Sequence, residues 1–204
     1  MDGVKWLFFD IGSTLVDETK VYDDIFQKIA VAAGVPVEDI KNRAIGFYRQ
    51  NKRGHREVMD LLGVEYPEWS PLYEELYPDT IKCLQALGEK YHLGIIANQI
   101  PGAEQRLEEK GIRRYFDLIV SSAEEGVAKP DLRIFRIALT RAGCTPEQAV
   151  MIGDRIDNDI VPAKQMGMKT VWIKQGFGKY WNIQGESETP DDEVDNLTGL
   201  LSIF

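Results

Sequence analysis

WLFFDIGSTLVD, residues Trp6 to Asp17, decides how the rest of the chain is read. Four apolar residues run straight into Asp10, and the chain then breaks into Gly12, Ser13 and Thr14. An unbroken apolar run closed by a glycine reads as a buried strand that stops abruptly. Asp10 then sits at the carboxyl end of that strand, the edge where ligands bind in open α/β sheets. A carboxylate buried there costs several kcal/mol unless it is paired or metal-bound. The alternative is an aspartate that caps the following turn.

Outward from this stretch, the first strand is expected over 4–10. Val21, Ile25, Phe26, Ile29 and Ala33 then repeat at helical spacing until Gly34. A second helix is expected from Val37 to Gln50, opening on Glu38 and Asp39, whose charges suit a helix N-terminus. A third runs from His55 to Leu62, before the break EYPEWSP. Residues 17–77 thus read as all helix. From there helices and strands alternate. Helices are expected at 79–90, 104–110, 131–142, 160–166 and from about 197. Strands are expected at 92–97, 116–120, 149–152 and 169–173. Such alternation predicts a parallel sheet with right-handed crossovers.

The net charge of -9 argues against a nucleic-acid partner, because phosphate backbones call for basic surface. No apolar run reaches the length that spans a membrane. Cys83 and Cys144 lie far apart, match no metal spacing and fall in helical patterns. Two free thiols are expected, and with them a cytoplasmic setting.

Each polar cluster falls at a strand's carboxyl end: Asp10, then Asn98, then Lys129 and Pro130, then Asp154, Asp157 and Asp159. Acids with one lysine around a pocket point to magnesium and a phosphoryl group. Magnesium takes hard oxygen ligands. Lysine supplies a point charge to phosphate. A carboxylate can itself attack phosphorus and form an aspartyl phosphate.

These residues resemble the motifs of the haloacid dehalogenase (HAD) superfamily, in the phosphatase-like branch with a helical cap after the first motif. DIGSTLVD at Asp10–Asp17 is similar to its first motif, D-x-D-G-T-L-x-x-D. IIANQ at Ile95–Gln99 is similar to the second, AKPDLRIF at Ala128–Phe135 to the third, and GDRIDNDIVPAKQMGM at Gly153–Met168 to the fourth. The four occur in order and cover nearly the whole chain. The resemblance implies an α/β class, a Rossmann-like parallel sheet sandwiched by helices. The core would be 1–16 and 78–204, and the inserted α-helical cap 17–77. It implies Asp10 as nucleophile and Lys129 as the residue holding Asp10 and the phosphoryl group together. Asp10, Asp154, Asp159 and the Gly12 carbonyl would hold Mg2+, with Asp159 in a supporting position. Asn98 and Lys129 would bind substrate, and Ser13 or Thr14 could partly substitute for the hydroxyl that the second motif lacks here. Asp157 falls outside the pattern and reads as surface.

Two departures bear on activity. The family's phosphatases carry a general acid two residues after the nucleophile, and here that position is Gly12. The hydroxyl residue of the second motif is here Ala97. Losing a positioned acid costs about 10² to 10⁴ in rate, mainly on substrates whose leaving alkoxide needs a proton. The expected function is a magnesium-dependent phosphatase acting on a small phosphorylated metabolite, as a monomer or homodimer. The alternatives are a fold that binds magnesium and a phospho-ligand without efficient turnover, and a dehalogenase, whose leaving halide needs no proton. The run YRQNKRGHRE could meet an anionic substrate or be a solvated helix end. The aromatic loop from Phe177 to Trp181 could pack on the core or rim the pocket.

Overall fold

The computed structural model describes residues 3–204. Residues 1 and 2, with which the expected core segment 1–16 opens, lie outside the described residues. In chain order the elements are β1 (Trp6–Phe9), β2 (Val16–Asp17), α1 (Thr19–Ala33), α2 (Val37–Tyr48), α3 (Gly54–Leu62), β3 (Glu75–Leu76) and α4 (Thr80–Gly88). There follow β4 (His92–Ala97), α5 (Ala103–Glu109), β5 (Leu118–Ser121), α6 (Ser122–Glu125), α7 (Leu132–Ala142) and β6 (Ala149–Gly153). Last come α8 (Val161–Met166), β7 (Lys169–Ile173), β8 (Asp192–Val194) and α9 (Leu197–Leu200). Six strands pair in the order β5-β4-β1-β6-β7-β8, all parallel.

The sheet is covered on both faces because its strands alternate between two apolar clusters. Leu7, Phe9, Leu93 and Ile95 point to one side, where α4 and α9 supply Leu84, Leu87, Leu197 and Leu200. Trp6, Phe8, Ile96 and Met151 point to the other, against Ile134, Phe135 and Ala138 of α7 and Ala163 of α8. Phe8 and Phe9 are completely buried. Each contributes about 1.5–3 kcal/mol by leaving water. A third cluster belongs to α1–α3, built on Val21, Ile25, Phe26, Ile29, Ile40 and Val58, and Phe177 and Tyr180 pack against it.

Four expectations need correction. The segment 17–77 is not all helix: Val16–Asp17 pairs antiparallel with Glu75–Leu76 at its two ends. A two-residue strand is too short to show an alternating pattern. The strand placed at 116–120 starts later, at Leu118, because Phe116 closes a helical turn over Arg113–Tyr115 and buries itself edge-on against Phe9. The helix placed at 160–166 is preceded by one wide helical turn, Ile156–Ile160. The edge strand Asp192–Val194 was unforeseen, since two of its three residues are exposed acids. Both cysteines are free, Cys83 buried and Cys144 partly so. Among the described residues no helix is long and apolar enough to cross a membrane.

Candidate active site

Parallel pairing of β1 with both β4 and β6 brings their carboxyl ends together. Asp10 follows β1 directly and donates its backbone N–H to Ile152 of β6 at 2.9 Å. Asn98 follows β4, Asp154 follows β6, and Asp159 sits in the wide turn beyond. Lys129 arrives from the segment between α6 and α7. Its ammonium donates to Asp10 Oδ1 at 2.8 Å, to the Ile96 carbonyl at 2.8 Å and to Asp159 Oδ1 at 2.5 Å, which uses all three protons. The Lys129–Pro130 bond is cis.

Asn98 fixes the backbone that carries this lysine. Its Nδ2 donates to the Lys129 carbonyl at 2.8 Å, and its Oδ1 accepts the Lys129 N–H at 2.7 Å. The residue lines the cavity, but its amide is engaged chiefly in positioning Lys129. Asp159 has both oxygens engaged, since Oδ2 accepts the Arg155 N–H at 3.0 Å. Gly153 lets it come this close: a Cβ there would stand 2.3 Å from Asp159 Oδ2.

One carboxylate oxygen each from Asp10, Asp154 and Asp159 lies within 4.8 Å of the other two. Burial, then Asp159 and Asp10, push the Asp154 carboxyl well above the ordinary range. Burial also raises Asp159, against the pull of Lys129. Burial by itself would lower the Lys129 ammonium, but Asp10 and Asp159 outweigh it and hold it above its usual value. One cation therefore faces three acids, and the cluster retains an appetite for positive charge.

The comparisons with known proteins follow this geometry. A family model described as haloacid dehalogenase-like hydrolase matches residues 4–167. The chain belongs to this family. The glyceraldehyde 3-phosphate phosphatase of Pyrococcus furiosus is 32% identical, the match covering 100% of this chain and 94% of that protein. Among solved structures, a HAD phosphatase from Thermococcus onnurineus is 26% identical with a TM-score of 0.66, covering 98% of this chain and 97% of the other. The 2-haloacid dehalogenase from Pseudomonas syringae is 25% identical with a TM-score of 0.64, covering 98% and 97%.

In this HAD-like hydrolase the cluster opens into a cavity of about 410 Å³. Gly12, Ser13, Asn98, Lys129, Asp154 and Asp159 all line it with Asp10. Ser13 sits in a left-handed turn (φ 54°), its N–H bonded to the Val16 carbonyl at 2.8 Å, and its hydroxyl donates to Glu18 Oε2 at 3.0 Å. Asp157 pairs with Arg155 and stays half-exposed. Sequence reasoning missed Glu18, which also lines the cavity. Burial, with Asp10, Glu74 and Asp17 adding to it and the Ser13 hydroxyl opposing, raises its carboxyl to about 8.

The far wall is aromatic. Phe177 lies parallel to Tyr48 at 4.8 Å and edge-on to Tyr22 at 4.9 Å, and Trp69 meets Tyr22 edge-on at 5.6 Å. The aromatic loop thus packs against α1–α3 and rims the pocket at once. The basic run divides. His55 is buried and bonded to the Tyr48 hydroxyl, Arg49 covers Tyr180, and Arg56 reaches the cavity over the Tyr66 ring.

Proposed function

We propose that the protein is a magnesium-dependent phosphatase that works through an aspartyl phosphate at Asp10 on a small phosphorylated metabolite. The observation that carries this reading is the Lys129 ammonium held between Asp10 and Asp159, with Asp154 completing the acid cluster. The donor set suits Mg2+, which favours one or two carboxylates together with substrate oxygens and water. Asp10 and Asp154 would hold the ion by side chain, Gly12 by its carbonyl, and Asp159 from behind. When bound, it would neutralise charge on the phosphoryl oxygens.

The chain's own residues do the rest. Lys129 holds one Asp10 oxygen, which leaves the other free to attack phosphorus. The ester P–O bond breaks as the Asp10 O–P bond forms. Lys129 offsets charge at the phosphoryl group. Water then attacks phosphorus, the Asp10 O–P bond breaks, and inorganic phosphate leaves. We assign residues 1–16 and 78–204 to the core and 17–77 to a cap over the cavity, where Tyr22, Tyr66, Trp69 and Arg56 would meet the leaving group. A dehalogenase reading is less favoured, because in metal-free dehalogenation three clustered acids would meet an anionic haloacid with only Lys129 to offset them. The two free thiols support a cytoplasmic setting.

Phosphate release from aryl and acyl phosphates tests this reading. Turnover is expected only with Mg2+ present, and Asp10→Asn is expected to reduce it by on the order of 10⁴ or more. Metal-independent turnover, or turnover that survives Asp10→Asn, overturns it.

A further inference from the structure

We propose that Glu18 is the proton donor and acceptor of this active site, taking over, from its position just before the first helix, the place that Gly12 leaves vacant in the first loop. This assignment rests on the aspartyl-phosphate reading above.

A Cβ built on Gly12 would stand 2.3 Å from Glu18 Oε1, 2.8 Å from its Cδ and 2.9 Å from Oε2. The Glu18 carboxyl therefore fills the volume that a side chain at position 12 would enter. Gly12 and Glu18 are complementary: the absence of a side chain at one makes room for the carboxyl of the other. A side chain at 12 would oblige the Glu18 carboxyl to move out of this place.

The local fold brings Glu18 there. The chain turns back between Ile11 and Val16, with the N–H groups of Leu15 and Val16 on the Ile11 carbonyl at 2.9 and 3.0 Å. Glu18 then caps α1, its carbonyl accepting the Tyr22 N–H at 3.0 Å. The residue is 9% exposed and lines the cavity shared with Asp10 and Lys129. The Ser13 hydroxyl holds Oε2, which leaves Oε1, the oxygen nearest to where a Cβ on Gly12 would stand, for the reaction. The other acids of the cavity, Asp10, Asp154 and Asp159, are committed to nucleophile and metal. Arg56 and Arg155 do not exchange protons under ordinary conditions. Glu74 is buried nearby but binds the Trp69 indole and lies outside the cavity lining.

The chemistry balances. As the Asp10 oxygen bonds to phosphorus, the electron pair of the breaking ester P–O bond goes to the leaving oxygen. That oxygen takes the Glu18 proton and departs as an alcohol. The Glu18 carboxylate then takes a proton from the water that attacks the aspartyl phosphate. Phosphate leaves, and Asp10 and protonated Glu18 are restored.

The test compares kcat/KM for alkyl phosphates with that for aryl and acyl phosphates, all with Mg2+. This parameter reports phosphoryl transfer to Asp10 and not the later hydrolysis. The wild type is expected to turn over alkyl esters. Glu18→Gln, which keeps size and shape, is expected to lose ~10²–10⁴-fold on alkyl esters and less than about tenfold on aryl and acyl ones. The paired variant Gly12→Asp with Glu18→Ala is expected to recover alkyl turnover by about tenfold or more over Glu18→Ala alone. Equal losses on both substrate classes, unchanged alkyl turnover in Glu18→Gln, or a wild type confined to aryl and acyl esters would each overturn the assignment while leaving Asp10 chemistry standing. Turnover that survives Asp10→Asn overturns the underlying reading instead.

Discussion

Lys129→Met loses both the fold's margin and all measurable turnover. The side chain is 2% exposed and satisfies the charge of Asp10 and of the fully buried Asp159. Removing one partner of a buried ion pair costs about 3–5 kcal/mol, because the other charges stay buried and uncompensated. For a domain of this size each kcal/mol moves the melting temperature by roughly 2–4 °C, so a fall on the order of 10 °C is expected. The pH dependence has a definite sign. Without the ammonium, which now pulls the Asp159 carboxyl down against its burial, that carboxyl sits further above its unfolded value of about 4. The folded state then binds more protons than the unfolded one, so stability rises as pH falls toward 5. Melts of wild type and variant at pH 7 and pH 5 check this: the gap narrows at the lower pH. A variant as stable as wild type would mean that the cluster does not depend on this lysine.

Asp154→Asn has the opposite effect on stability and the same effect on function. Asp154 is 5% exposed and shares its surroundings with Asp10 and Asp159. Its folded carboxyl is raised above the unfolded value, so keeping it ionised near pH 7 costs stability, a cost incurred as pH rises through the folded value. A neutral amide removes that cost, and the metal-free variant is expected to melt higher than wild type. What it loses is the gain from the ion. A ligand at a hundred times its dissociation constant stabilises by about 2.7 kcal/mol. In wild type, added Mg2+ is expected to raise the melting temperature accordingly, and in Asp154→Asn that increment disappears with turnover. An undiminished Mg2+ increment in the variant would place the metal elsewhere.

These two residues were legible in the sequence. An acid directly after a run such as AVMIG contradicts its apolar surroundings, and a Lys-Pro-Asp sequence just before a helix marks itself by its motif. Glu18 carries neither mark. Its place in the cavity depends on the turn at Ile11–Val16, which brings residue 18 against residue 12, and no linear spacing encodes that approach. Asn98 was readable as a strand-end residue, but not its grip on the Lys129 backbone, which joins segments 31 residues apart. The aromatic wall escaped for another reason. Tyr22 and Tyr48 occupy the apolar stripes of α1 and α2, where they look like core, and they are core on one side and cavity wall on the other. In the fold, long periodic helices and buried strands were plain, while β2, β3 and β8 carry too few residues, or too many charges, to show a period.

The most direct test of the central claim is to quench the reaction with an acyl or aryl phosphate in acid and map the phosphorylated peptide. The account predicts a Mg2+-dependent, hydroxylamine-labile phosphoryl group on the peptide carrying Asp10, absent from Asp10→Asn. Turnover with no such adduct, or an adduct on another residue, would contradict it.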